Sequence, residues 1–165
     1  MRLFKTISLL FSAALTLGIA QANQLTILHI NDHHSHLRAD GRMSLNIGGN
    51  NTRVRSGGFP AIVSTFDKLS EGKSNVLRLH AGDAITGDLY YTLFKGEADA
   101  ALMNEVCFDA FALGNHEFDN GDAGLANFLD FLNNGDCQTP ILAANISPEV
   151  GVSPLTKNSA TDYIQ

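Results

Sequence analysis

The chain has 165 residues, with 11 Lys and Arg against 17 Asp and Glu and a formal net charge of −6 when histidines are neutral. That length is enough to bury one respectable core. The acidic balance disfavours non-specific nucleic-acid binding, which depends on clustered cations, so no nucleic acid polymer is expected as a partner.

In chain order, residues 1–22 read as a signal peptide: Arg2 and Lys5 give a positive start, Thr6 to Ile19 an apolar stretch, and Ala20-Gln21-Ala22 a small-x-small cleavage site. The apolar core is too short to span a membrane comfortably, and no later run reaches that length. The expectation is a protein starting at Asn23, periplasmic or otherwise extracytoplasmic, with no stable membrane insertion after cleavage. Losing Arg2 and Lys5 leaves 9 basic against 17 acidic residues, a net charge of −8. If such a surface handles anionic phosphates, bound metal ions can supply the missing local positive charge.

The remainder is predicted to alternate: strand Leu25 to Ile30, helix about Pro60 to Ser70, strand Val76 to His80, helix Ala98 to Val106, strand Ala110 to Leu113, helix Ala123 to Asn133, strand Ile141 to Asn145. This alternation argues for a layered α/β domain. Leu125, Phe128, Leu129 and Leu132 fall on one helical face, with Asp122 a candidate N-cap and Gly135 a stop. Phe59, Ile62, Val63, Phe66 and Leu69 repeat the pattern, and both faces are read as core. Arg38 to Gly58 is polar and rich in Gly and Asn, and is read as a surface loop or short excursion. Cys107 and Cys137 each precede a predicted strand, which allows a disulfide in an exported chain, with two unpaired thiols as the alternative. From Pro148 to Gln165 apolar periodicity fades, as if a larger domain continued.

Three polar clusters follow three predicted strands: Asp32-His33-His34, Gly82-Asp83 and Gly114-Asn115-His116-Glu117. Carboxylate, imidazole and amide oxygen hold divalent cations of intermediate softness, and open α/β sheets gather ligands at their strand ends. Alternation along a strand end lets Asp32 and His34 point the same way toward one ion. Gly82 allows a tight turn, after which the two oxygens of Asp83 can bridge cations about 3.5 to 4 Å apart. Asn115 can serve a second ion and leave His116 free for catalysis. His33 and His36 are read as supporting or solvent-facing groups, His29 and His80 as satisfying hydrogen bonds inside the sheet, and Asn145 as a weaker candidate contact at the same edge.

The order D-x-H, G-D, G-N-H-E resembles the signature of calcineurin-like metallophosphoesterases. The runs GDAITGDLYYTLFKGEADAALMN and FDAFALGNHEFDNG are similar to the 5′-nucleotidase family, which includes exported bacterial nucleotidases and UDP-sugar hydrolases. The resemblance covers roughly Leu25 to Ile146. It implies that residues 23–165 form the N-terminal part of an α/β/β/α sandwich, with downstream motifs and a C-terminal nucleotide-recognition domain needed to complete the enzyme. It further implies two divalent metal ions, drawn from Zn, Mn, Mg or Co, with Asp32 and His34 on the first, Asp83 bridging and Asn115 on the second. His116 matches the catalytic histidine and Asp119 the aspartate that orients it; Glu117, between them, is read as a supporting or structural residue. The implied reaction is release of phosphate from nucleoside 5′-monophosphates by a metal-activated water. Alternatives are a 2′,3′-cyclic-nucleotide phosphodiesterase with 3′-nucleotidase activity, a UDP-sugar diphosphatase, or an inactive truncated metal-binding product.

Overall fold

The computed structural model describes residues 24–146; the expected signal peptide and the stretch from Pro148 to Gln165 lie outside the described residues. The elements are β1 (Thr26–Ile30), β2 (Gly41–Ile47), β3 (Asn50–Ser56), α1 (Gly58–Ser70), β4 (Val76–His80), α2 (Leu89–Phe94), α3 (Glu97–Val106), β5 (Ala110–Ala112), a 3-10 turn (His116–Phe118), α4 (Gly121–Asn133) and β6 (Ile141–Leu142). Parallel neighbours need long crossovers, and the intervening helices supply them. The main sheet has the order β1-β4-β5-β6 with every pairing parallel. All four strands therefore end at one edge, and the loops that follow them share it.

Burial explains the arrangement. Helix α3 packs against both α1 and α4, so the three cover one face of the sheet as a layer. Phe59, Phe66, Met103, Val106, Phe111, Leu125, Phe128, Leu129 and Leu132 are buried between them. Each such side chain contributes roughly 1.5–3 kcal/mol on leaving water. The predicted stripe of α4 is buried throughout. On α1, Phe59 and Phe66 are buried and Ile62 and Val63 partly so, but Leu69 at the helix end is 44% exposed. On β1, Ile27 and His29 are exposed, so His29 does not sit in a packed interior as its position in a strand suggested.

Several boundaries and three elements, β2, β3 and α2, differ from the sequence reading. The segment read as a loop contains an antiparallel hairpin, β2 with β3, closed by Gly48 and Gly49. Both glycines have positive φ, 58° and 85°, which two-residue hairpin turns of the primed kind require. Helix α2 was not anticipated; Asp88 caps it by accepting from the Leu89 N–H, and Lys95 ends it in a left-handed conformation. The N-cap of α4 is Asn120, so Asp122 lies in the first turn, where its charge still suits the helix dipole. Strand β6 stops at Leu142, and Asn145 is exposed in a turn beyond it. Cys107 and Cys137 form a disulfide with their Cα atoms 5.5 Å apart, tying the end of α3 to the segment before β6. Among the described residues, no helix is long and apolar enough to cross a membrane.

Candidate metal centre

The loops after β1 and β4 continue the parallel ladder past the strands. Asp32 N–H donates to Gly82 O at 2.9 Å, His34 N–H to Asp83 O at 3.1 Å and Ser35 N–H to Ala84 O at 2.9 Å. Asp32 and His34 nevertheless have φ of 52° and 47°, so they lie in left-handed turns. Their side chains do approach each other, with His34 Nε2 3.7 Å from Asp32 Oδ1, but through turn geometry rather than strand alternation. The loop after β5 comes close to that after β4. A Cβ on Gly82 would lie 2.5 Å from Gly114 N, and one on Gly114 would lie 2.2 Å from Asp83 Oδ1. Only glycine fits at either place.

Ligand atoms of His34, Asp83 and His116, one from each loop, all lie within 4.8 Å of one another. The His34 and His116 rings meet edge to face, with centroids 4.9 Å apart. His116, read from sequence as catalytic, thus lies as near the other two as a ligand. Asp32 stands beside this group through His34, and Asn115 is exposed next to His116. Two imidazoles and a carboxylate suit Zn, Mn or Co better than an oxygen-demanding ion such as Ca. Asp83 Oδ1 also accepts the His116 N–H at 2.9 Å, which locks the second and third loops together.

His116 Nδ1 lies 2.7 Å from Asp119 Oδ2. The Asp119 hydrogen bond raises the His116 pKa above its usual value and leaves Nε2 as the free ring nitrogen. His36 is exposed and lies between Asp40 and Asp88, at 2.7 and 3.0 Å; bonding to Asp40 first, then Asp88, raises its pKa. His33 and His80 are buried; burial, reinforced by His33, pushes His80 down to about 3.

Glu117, read from the sequence as a supporting or structural residue, is a structural carboxylate here. It is 1% exposed, and its carboxylate accepts four backbone N–H groups: Ala84 at 2.7 Å and Ile85 at 3.4 Å on one oxygen, Asp83 at 2.9 Å and Gly114 at 2.6 Å on the other. Asp99 was missed altogether and is fully buried on α3. The available signal was a carboxylate at a core position, since Asp99, Met103 and Val106 follow helical spacing.

A parallel α/β sheet whose strand-end loops converge carboxylate and imidazole groups defines the class of metal-centred hydrolases. The described family model "Calcineurin-like phosphoesterase" matches residues 25–154, and the chain belongs to that family. Members of it bind divalent metals. The chain is 50% identical over 125 residues to a probable 5′-nucleotidase of Treponema pallidum, covering 76% of this chain and 20% of that protein. It is also 50% identical over 129 residues to the NAD 5′-nucleotidase of Haemophilus influenzae, covering 78% of this chain and 20% of the relative. The solved structure of the Haemophilus influenzae NAD nucleotidase aligns with a TM-score of 0.69 at 48% identity, covering 81% of this chain and 25% of that one. The chain therefore spans about a fifth of the length of the curated relatives it matches.

Proposed function

We propose that residues 23–165 form the N-terminal part of the metallophosphoesterase domain of a 5′-nucleotidase, and that the complete protein releases phosphate from nucleoside 5′-monophosphates. The observation that carries this is the convergence of His34, Asp83 and His116 at one sheet edge, in a chain half identical to named nucleotidases. In this reading Asp32 and His34 would hold one divalent ion, and a second would be held by Asn115 with Asp83 shared between the two. Bound cations neutralise phosphoryl oxygens and lower the pKa of water.

The chain's own residues do the rest. Asp119 fixes the His116 tautomer through Nδ1 and favours its charged form. From Nε2, His116 then stabilises charge on the phosphoryl group or gives its proton to the leaving oxygen, a contribution of about 10²–10⁴ in rate. Residues 1–22 act as the leader that carries the protein out of the cytoplasm, with cleavage after Ala22.

A second reading has its own support: the NAD 5′-nucleotidase relative acts, by its name, on a dinucleotide. Cleavage of a pyrophosphate bond in NAD or a UDP-sugar needs the same cation site. Product analysis with Mn²⁺ for the complete protein separates these readings: adenosine and phosphate from AMP, NMN and AMP from NAD, UMP and a glucose phosphate from UDP-glucose, and 3′-AMP from 2′,3′-cyclic AMP. Turnover of AMP abolished by Asp83→Ala supports the 5′-nucleotidase. No metal-dependent turnover of any of them overturns it.

A further inference from the structure

Four buried polar side chains from three segments meet beneath the ligand loops. His33 and Ser35 come from the loop after β1, His80 from the last position of β4 and Asp99 from the first turn of α3, and each is at most 8% exposed. Their hydrogen bonds can run in only one direction. The Gly82 N–H can only donate, and it meets His80 Nδ1 at 3.1 Å, so the His80 ring hydrogen sits on Nε2. That Nε2–H donates to His33 Nδ1 at 2.9 Å, which places the His33 hydrogen on Nε2, where it is given to Asp99 Oδ1 at 3.1 Å. The other Asp99 oxygen accepts the Ser35 hydroxyl at 3.0 Å. Phe59 packs edge-on against His33, and Phe108 and Phe111 against His80, so little freedom is left to either ring.

The loop therefore alternates. Asp32 and His34 keep 54% and 33% of their side-chain surface and face the site, whereas His33 and Ser35 are drawn down to one carboxylate. Asp32, His34 and Ser35 have φ of 52°, 47° and 54°, a backbone that non-glycine residues keep only when their surroundings hold it. The two inward side chains are what holds it here, because they flank His34 on both sides. At its far end the network grips Gly82, the neighbour of Asp83.

We propose that Asp99 is a positioning residue of the metal centre, acting through His33, Ser35 and His80 to preset Asp32 and His34 against Asp83. This rests on the metal reading above and adds to it a residue that touches no ligand atom. Partners behind a metal's ligands typically govern affinity by about 10–100-fold. A merely structural polar core would lower stability and leave affinity where it was.

The test is titration of the 165-residue chain with Mn²⁺, free ion being read by electron paramagnetic resonance, alongside circular dichroism of the metal-free protein. Asp99→Ala is expected to weaken Mn²⁺ binding by at least about tenfold. Asp99→Asn is expected to restore it to within about threefold, because its oxygen still accepts from His33 while its amide donates to the Ser35 hydroxyl. Ser35→Ala, which removes one bond and a small volume, is expected to cost about threefold. A folded Asp99→Ala protein with wild-type affinity overturns the proposal; if that variant does not fold, unchanged affinity in Ser35→Ala overturns it. Absence of any saturable Mn²⁺ site in the unsubstituted chain overturns the metal reading itself and this inference with it.

Discussion

Replacing Glu117 by Gln tests how the centre is built, because the substitution keeps shape and removes acceptors. The carboxylate accepts four backbone N–H groups, two on each oxygen. An amide offers one oxygen and one NH₂, so two of the four donors must face another donor. The side chain will keep its oxygen toward Ala84 and Ile85, whose amides are buried, and turn NH₂ toward Asp83 and Gly114, which are part-buried. An unsatisfied buried donor costs roughly 1–3 kcal/mol, and the part-buried pair belongs at the low end, giving about 2–3 kcal/mol in all. For a chain of this size that is a fall in Tm of roughly 4–12 °C. Mn²⁺ affinity should fall as well, since the Asp83 N–H is one of the two donors left unmatched. Thermal unfolding followed by circular dichroism, with and without Mn²⁺, measures both. A Glu117→Gln protein that melts within about 2 °C of the parent and binds Mn²⁺ equally well would refute the idea that this carboxylate clamps the loops.

Gly114→Ala puts a methyl 2.2 Å from Asp83 Oδ1 and 2.5 Å from Asp83 N, so Mn²⁺ binding should be lost by more than about tenfold, and retained affinity would contradict the close loop approach. Reducing the Cys107–Cys137 disulfide, which bridges a sequence separation of 30, should cost roughly 3–4 kcal/mol in urea unfolding, and a midpoint unmoved by dithiothreitol would count against it. Burial and His33 push His80 from 6.5 to about 3, so the unfolded chain takes up a proton that the folded chain refuses. Its contribution is intact above pH 6.5 and is lost as pH falls toward 3. Urea unfolding between pH 8 and 4 should show up to about 1.4 kcal/mol per pH unit from this group, with a shallower slope in His80→Gln, and identical slopes would exclude it.

What was readable in the sequence follows from how each element is stabilised. Strands β1 and β4 pair with each other and the stripe of α4 joins the core, which writes continuous or periodic apolar residues into the chain. The hairpin carries the alternation too, with Met43, Leu45 and Ile47 between Arg42, Ser44 and Asn46, but all of these are exposed, so composition pointed to a loop. Helix α2 has six residues, too few for a period, and is marked only by the Asp88 cap. Asp32, His34, Asp83, Asn115, His116 and Asp119 could be put forward as candidates because ligand chemistry restricts residue type, and the structure brings His34, Asp83 and His116 together. The anchoring contacts of Glu117 and Asp99 were not legible, because three of the four groups Glu117 binds are 32–34 residues away and the Asp99 partners 64–66, and they become neighbours only when the sheet closes.

The same separation explains why the centre's backbone is strained. Of the non-glycine residues described with positive φ, Asp32, His34 and Ser35 lie in the loop after β1 and Asp83 and Thr86 in the loop after β4; Lys95 and Cys107 end helices. At helix ends such a conformation closes the final turn. In the ligand loops it costs of order 1–3 kcal/mol per residue, and it persists only where the surroundings over-determine it. Two buried carboxylates do this from opposite sides, Asp99 holding the loop after β1 by its side chains and Glu117 holding the loop after β4 by its amides. Side-chain anchors leave the first loop's amides free for the ladder that joins the two loops, and amide anchors leave the Asp83 carboxylate to accept the His116 N–H and line the site. Exchanging the two kinds of anchor would consume groups the centre uses, and neither carboxylate faces the site itself, since both oxygens of each are already engaged in the interior.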